Sequence, residues 1–374
     1  MNASRTLPIA ETDPPAGDFA ARLLDWYDRS HRDLPWRVSP AQARAGVRAD
    51  PYRVWLSEIM LQQTTVQAVR AYYADFLTRW PDVASLAAAE NDDVMRAWAG
   101  LGYYSRARNL KKCAEKVVAD HDGRFPDTEK GLLGLPGVGP YTAAAIAAIA
   151  FGRPSIVIDG NVERVIARHG AISTPLPAAK SEIRAYLDER LPHDRPGDFA
   201  QALMDLGATI CTPRRPACVL CPLRDDCAGI RLGDPQLYPV KAARPAKPKR
   251  VGAAFVALRR DGAVLLRKRP EKGLLGGMAE VPTTGWTARL DGETGAAAAP
   301  FRGLWQARDS VSHVFTHFEL ELSVYRGYVD AAPPPGHWWS TDYRKEALPN
   351  LMKKVIEAAL DGRGKPAKPA GRKA

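Results

Sequence analysis

Four of the five cysteines in this chain crowd into one short segment: Cys211, Cys218, Cys221 and Cys227, spaced C-x6-C-x2-C-x5-C. Thiols so close in sequence cannot all pair as relaxed disulfides, whereas four thiolates can hold one metal centre. Zinc and iron–sulfur clusters both accept four cysteines. Zinc sites usually use two C-x2-C knuckles and only one is present, so the uneven spacing suits a bulkier cubane. Four buried free thiols are the plainer alternative. Cys113 stands alone in a helical stretch and reads as core. Arg214, Arg215 and Arg224 lie in or beside the cysteine loop, where solvated charges and phosphate contacts are equally good readings.

A second group of residues is built to approach an anion. Residues 132–143 read LLGLPGVGPYTA. Pro136 stops one helix, and Gly137 and Gly139, with Val138 between them, allow a tight turn before the next helix over 141–151. Backbone N–H groups at such a turn, followed by a helix N-terminus, can hold a phosphate; an ordinary inter-helix turn fits the same residues equally well. Two carboxylates form the third group. Glu58 lies between Trp55 and Ile59 on a mostly apolar helix face, where burial would raise its pKa and keep it protonated, although a lone glutamate is more often on the surface. Asp159 follows the apolar run 156–158 and precedes a helix over 162–166, the place of an N-cap that stays ionised.

The elements that must position these residues fall into two textures. From 18 to 228 helical periodicity dominates. In 54–80, Val54, Trp55, Ile59, Val66, Val69 and Phe76 recur at helical spacing, and 84–98 and 106–118 repeat the character. Residues 37–51 read as a loop ending at Asp50-Pro51. After 240 the texture changes. A Pro- and Lys-rich stretch ends a linker spanning 229–250, and 251–269 carries two apolar runs around Asp261-Gly262, a hairpin signal. Alternating Phe318, Leu320, Leu322 and Val324 read as a half-buried strand, and 350–360 as a closing helix. The expected architecture is multidomain: an all-α domain over 18–228 with its cysteine loop at 211–227, and an α+β domain over 251–360. Residues 1–17 read as a disordered arm and 361–374 as a basic tail.

Bulk properties narrow the class only a little. The 374 residues are 45% hydrophobic and 25% charged, ordinary for a globular chain. The net charge of +11 suggests an acidic partner. Most of that excess comes from 241–250 and 363–374, each with five positive charges and no negative one, so the folded parts are near neutral. No run spans a bilayer, and the first residues lack the form of a signal or transit peptide. A cytoplasmic protein with no membrane partner is expected.

Taken in order, LPGVGPYTA (135–143), VIDGNVERV (157–165) and the cysteine spacing resemble the helix-hairpin-helix DNA glycosylase superfamily. LSEIMLQQTTV (56–66) and GLGYYSRARNL (100–110) resemble its MutY-type adenine glycosylase branch. GLLGGMAEVP (273–282) and HVFTHFEL (313–320) resemble that branch's Nudix-like C-terminal domain. The likeness covers nearly the whole chain apart from the termini and the loop near 38–49.

The resemblance implies a [4Fe–4S] cluster on Cys211, Cys218, Cys221 and Cys227. It implies a monomer that acts on duplex DNA, nucleoid-associated when bound, and hydrolyses adenine from 8-oxoguanine:A or G:A pairs. Breaking an N-glycosidic bond calls for an acid and a second carboxylate near the anomeric carbon. By resemblance Glu58 protonates adenine N7 and then activates water, Asp159 faces the oxocarbenium ion, Asn161 positions Asp159, and Tyr141 lies beside the reaction centre. Endonuclease III-like lyases carry lysine where this chain has Tyr141, which implies a monofunctional glycosylase. Gln62, Gln63 and Tyr103 are implied to contact DNA at the gap left by the flipped base, and the turn 137–139 to hold its backbone. Phe315, Thr316 and His317 stand where the family has a Phe-Ser-His recognition loop for 8-oxoguanine; Thr replaces Ser, and a solvated strand face is the alternative reading. The Nudix glutamate motif is absent, so that domain is expected not to hydrolyse nucleotides. The rivals are an endonuclease III-like lyase, a non-catalytic damage sensor and a Nudix hydrolase with a helical appendage.

Overall fold

A computed structural model describes residues 16–242, 246–270 and 273–361. The chain divides into two compact units, Met1–Ala88 with Lys112–Arg244, and Ala89–Lys111 with Pro245–Ala374.

The first unit is helical. Its centre is the helix Pro140–Phe151, in which every residue from Thr142 to Ala148 is buried. A helix apolar on all sides must be surrounded, and its alanines let neighbours come close. Pro51–Leu61 packs on it from one side and Pro196–Thr209 from another. Gly197 and Gly207 make the second helix fit: a Cβ at 197 would stand 2.6 Å from the Ala148 carbonyl, and one at 207 would stand 2.6 Å from Asn161 Cβ. Gly160–His169 completes this layer, and Phe19, Leu23 and Tyr27 of Ala16–Ser30 fill the space beneath. No helix among the described residues is long and apolar enough to cross a membrane.

The structure corrects several boundaries. The periodic run 54–80 is two helices, Pro51–Leu61 and Val66–Arg79. Thr65 caps the second through Ala68 N, and Gln63 takes φ +59°. Gln62, the C-cap of the first of these helices, and Gln63 therefore sit in the bend between them. The loop 37–51 contains a short helix, Pro40–Arg44, started by a Ser39–Gln42 capping box. The first helix begins at Ala16, inside the expected arm, whose residues 1–15 lie outside the described residues. The expected linker is packed over its first half. Tyr238 is buried, its carbonyl accepts from Arg168 Nε, and Leu176 N donates to the Val240 carbonyl. A large ring with nowhere to go in water draws that stretch onto the helices. Of the basic tail, residues 362–374 lie outside the described residues.

The second unit holds a mixed sheet of seven strands: β1 (Lys249–Leu258), β2 (Val264–Lys268), β3 (Ala279–Glu280), β4 (Gln306–Ala307), β5 (Val311–Val314), β6 (Glu319–Tyr328) and β7 (His337–Ser340). The order is β3-β2-β1-β6-β4, with β5 also on β6 and β7 also on β2. β1 and β2 form the hairpin anticipated at Asp261-Gly262, where Gly262 takes φ +84°. β1 runs parallel to β6. Phe318, Leu320, Leu322 and Val324 turn inward, and Leu351, Met352, Val355 and Ile356 of the closing helix Asn350–Leu360 share their core. Residues 89–111, read from sequence as part of the helical domain, belong to this unit: Arg108 donates to the Gly276 carbonyl, and Lys268 pairs with Asp92 at 3.5 Å.

The Gly207 contact leaves no room for a methyl group. Gly207→Ala is expected to destabilise the helical unit by about 1–3 kcal/mol, lowering its melting temperature by roughly 3–10 °C; an unchanged melting curve would show that the helices can move apart freely.

Candidate active site

Glu58 projects from the middle of Pro51–Leu61 into a cleft of about 470 Å3 lined also by Arg37, Gln62, Gln63, Tyr141, Asp159, Asn161 and Gln201. Glu58 is only 7% exposed. Tyr141, in the first turn of Pro140–Phe151, donates its hydroxyl to Glu58 Oε2 at 2.8 Å. Burial pushes the Glu58 carboxyl up to about 7 from an ordinary 4.5, and the nearby Asp159 charge adds to it, while the Tyr141 hydroxyl and Arg37 pull the other way. Burial and both carboxylates likewise raise the Tyr141 phenol, so it remains a donor.

Asp159 is the N-cap of Gly160–His169. Its Oδ1 accepts from Asn161 N at 2.9 Å and Val162 N at 2.7 Å, and its Oδ2 from Asn161 Nδ2 at 2.9 Å. Three N–H donors fix the orientation of the carboxylate. Asn161 is held in turn by Arg164, whose Nη2 donates to Asn161 Oδ1 at 2.9 Å and to the Gly207 carbonyl at 2.6 Å. Thus the expected catalytic residues Glu58, Tyr141, Asp159 and Asn161 share one cleft with Gln62 and Gln63. Gln62 Nε2 donates to Thr142 Oγ1 at 3.2 Å, and Gln63 is exposed.

The glycine turn is formed as expected. Gly137 takes φ +76°, and Gly139 is the N-cap of Pro140–Phe151 without a side-chain cap. Val138 is buried and anchors the turn. Tyr103 lies in the second unit, 52% exposed and at φ +47° after Gly102. There it lines a largely apolar cavity of about 480 Å3 together with Phe315, Thr316 and His317.

The lining residue Arg37 and its buried partner Asp205 escaped the sequence reading. Asp205 is fully buried, and its carboxylate accepts from Arg37 Nη1 at 2.7 Å, from Arg32 Nε at 2.5 Å and from Arg32 N at 2.9 Å. An aspartate between Met204 and Leu206 on a buried helix must be paired, and that pattern was the available signal. Arg37 was hidden inside an apparent loop.

The four clustered cysteines are free thiols, as is the buried Cys113. Among the described residues no three His, Cys, Asp or Glu side chains converge on an ion-sized point. The donor set nonetheless suits a larger thiolate-bound group. Burial pushes Cys221 up to about 12, with the charges of Cys211, Cys227 and Cys218 adding to that, so the four thiols act on one another electrostatically. The buried Arg168 guanidinium complements them: its Nη1 stands 3.4 Å from Cys211 Sγ and donates to the Thr212 carbonyl at 2.7 Å. Arg164 Nε donates to the Cys211 carbonyl at 2.7 Å, so one arginine holds both the cysteine loop and Asn161.

A carboxyl that titrates near 7 when folded and near 4.5 when unfolded weakens the fold as pH rises through that window, because only the unfolded chain releases the proton easily. Glu58→Gln is expected to remove this penalty. Urea denaturation should show the variant more stable than the parent by about 3 kcal/mol above pH 7, with the gap closing toward pH 4.5. An equal gap at all pH values would contradict a raised Glu58.

Comparison with known proteins follows the same lines. Residues 56–193 match the HhH-GPD superfamily of base excision DNA repair proteins, 253–358 match a NUDIX domain, and 211–227 match the iron–sulfur binding domain of endonuclease III. An adenine DNA glycosylase of Mus musculus is 37% identical over 92% of this chain and 78% of the mouse protein. One from Homo sapiens is 36% identical over 90% of this chain and 73% of its own. The solved structure of a thermostable thymine-DNA glycosylase aligns with a TM-score of 0.50 and 31% identity, covering 57% of this chain and 95% of that one. Identity of that extent, over most of both partners, makes the chain a member of the adenine DNA glycosylase family of base excision repair proteins.

Proposed function

We propose that this enzyme binds duplex DNA as a monomer and hydrolyses the N-glycosidic bond of adenine paired with 8-oxoguanine or guanine. The observation that carries the chemistry is a buried glutamic acid, protonated near neutral pH, in one cleft with an N-cap aspartate.

In this reading a flipped adenine enters the cleft and Glu58 gives its proton to N7. The base then departs neutral as the C1′–N9 bond breaks, leaving its bonding electrons on the base. Positive charge grows on C1′ and the ring oxygen, and the Asp159 carboxylate, oriented by Asn161, stabilises it. The Glu58 carboxylate, recharged by the transfer, takes a proton from water as that water bonds to C1′. Tyr141 aims Glu58 and offers no amine, so no Schiff base forms and the strand is not cut. Gln62, Gln63 and Tyr103 contact the DNA, Gln63 and Tyr103 beside the damaged pair that the adenine has left. The N–H groups at 137–139 hold phosphate without reading sequence. Phe315, Thr316 and His317 read the 8-oxoguanine.

Cys211, Cys218, Cys221 and Cys227 would hold the cluster, and the reading of it as [4Fe–4S] is supported by the four-thiolate donor set, the uneven spacing and the family resemblance. When bound it supplies a rigid cross-link of the loop 211–227. Purified protein should contain iron and acid-labile sulfide in equal amounts; zinc without sulfide would overturn the assignment.

In a single-turnover assay on a duplex with one 8-oxoguanine:A pair, the parent should release adenine without nicking. Glu58→Gln should lose about 100-fold or more of the rate while retaining DNA binding. No release by iron-loaded parent enzyme would favour a non-catalytic sensor, and efficient nicking a lyase. The parent's chemical rate should fall as pH rises through about 7. Tyr141→Phe removes a hydrogen bond to the charged form, so this limb should move to higher pH; a shift to lower pH would refute the role given to Tyr141.

A further inference from the structure

The turn carrying Phe315, Thr316 and His317 has its two ends fixed and its two middle residues exposed. The Phe315 ring stacks on Phe318 with centroids 4.7 Å apart and meets His313 edge-on at 4.6 Å. Phe315 N donates to the Phe318 carbonyl at 2.8 Å. Thr316 and His317 stand exposed at the cavity that Tyr103 also lines. With no packing of their own, these two side chains point wherever the flanking backbone points them.

That backbone is also anchored from outside the hairpin. Lys247 Nζ donates to the Phe315 carbonyl at 2.8 Å. One residue on, the Pro248 carbonyl accepts from Glu319 N at 3.0 Å, just beyond the other side of the turn. The connector into β1 thus grips the turn from both flanks. Lys247 is well prepared for the task. A residue before proline is confined to extended conformations, and its neighbour Lys249 is already in register with Glu319. The long side chain therefore starts from a fixed position, although it lies in a Pro- and Lys-rich stretch that looks from sequence like a plain linker.

We propose that Lys247 is a positioning residue for lesion reading: its ammonium fixes the Phe315 carbonyl and so aims Thr316 and His317. The proposal rests on the reading of this turn as the 8-oxoguanine contact. It differs from a general phosphate contact in a measurable way. A positioning lysine affects the pair that contains the lesion, whereas a phosphate contact affects every duplex and its salt dependence.

The test compares full-length, iron-loaded parent enzyme with Lys247→Ala, Lys247→Arg and the double variant Thr316→Ala/His317→Ala. Single-turnover rates and dissociation constants are measured on duplexes with one 8-oxoguanine:A or one G:A pair. Loss of one charge-assisted hydrogen bond on an exposed side chain predicts about a fivefold fall in the preference for 8-oxoguanine:A in Lys247→Ala. G:A rates and the slope of affinity against salt should be unchanged, and Lys247→Arg should restore the preference. An equal loss on both duplexes with a shallower salt slope would make Lys247 a phosphate contact and overturn the proposal. Preference kept in Lys247→Ala but lost in the double variant would leave the turn as the lesion reader and remove Lys247 from it. Preference kept in both would overturn the reading of the turn itself, and the proposal with it.

Discussion

Removing water from one carboxyl group organises the rest of the cleft. In water Glu58 would lose its proton well below neutral pH; between packed helices it holds it to about 7. That burial requires the helices Pro51–Leu61 and Pro140–Phe151 to lie close together, and the run of alanines at 143–145 and 147–148 permits it. Close packing also brings Tyr141 to Glu58 and Thr142 to Gln62. A buried acid without counter-charges would sit still higher, and Arg37, clamped by Asp205, moderates it. The acid is stabilised in a reactive state at a cost to the fold, the usual arrangement where a group must work near neutral pH.

The second carboxylate obeys the opposite logic. Asp159 is surrounded by donors and not by apolar surface, and its place at a helix start comes from the same side-chain chemistry that begins helices elsewhere in this chain at Asp50 and Thr65. What separates Asp159 from those caps is the next layer. Asn161, Arg164 and the Gly207 carbonyl form a chain of hydrogen bonds, and Arg164 continues it to the Cys211 carbonyl. The cysteine loop is thereby part of what holds the aspartate still. Gly207 is small because this network passes directly over it.

The residues that meet in the cleft, and those of the glycine turn, were largely legible in sequence because each obeys a local rule. Asp159 precedes a helix, Glu58 lies in an apolar stripe, and the glycines at 137 and 139 flank a proline stop. The two architectures were legible for the same reason, since a 3.6-residue period and a two-residue alternation mark helix and strand directly. Features that depend on distant partners were not. Nothing near Asp205 announces Arg32 and Arg37, which lie over 160 positions away. The break at Gln63 was masked because the apolar period continues through it, and only the capping role of Thr65 marks it. The segment 89–111 looks like any helical stretch, yet it belongs with the sheet unit through Arg108 and Lys268, whose partners sequence spacing cannot name. Charge-rich 241–250 looked like a spacer because solubility and anchoring use the same residue types.

On the proposed mechanism the acid–base pair by itself does not account for selectivity. An adenine drawn into the cleft presents the same N7 and the same sugar whether its partner was thymine, guanine or 8-oxoguanine, so Glu58 and Asp159 meet an identical substrate in every case. Chemistry that strips any adenine would damage the genome it is meant to repair. Discrimination must therefore come from the base left behind and act before or during extrusion, when the pairs still differ in stability and shape. In the proposed reading that task falls to the second unit, whose cavity brings Tyr103 together with exposed Thr316 and His317 on a turn braced from several sides. A reader needs rigid placement of a few polar groups against apolar walls, whereas an acid catalyst needs a buried proton. Those demands favour different surroundings, which is a physical reason for one chain to carry two folds.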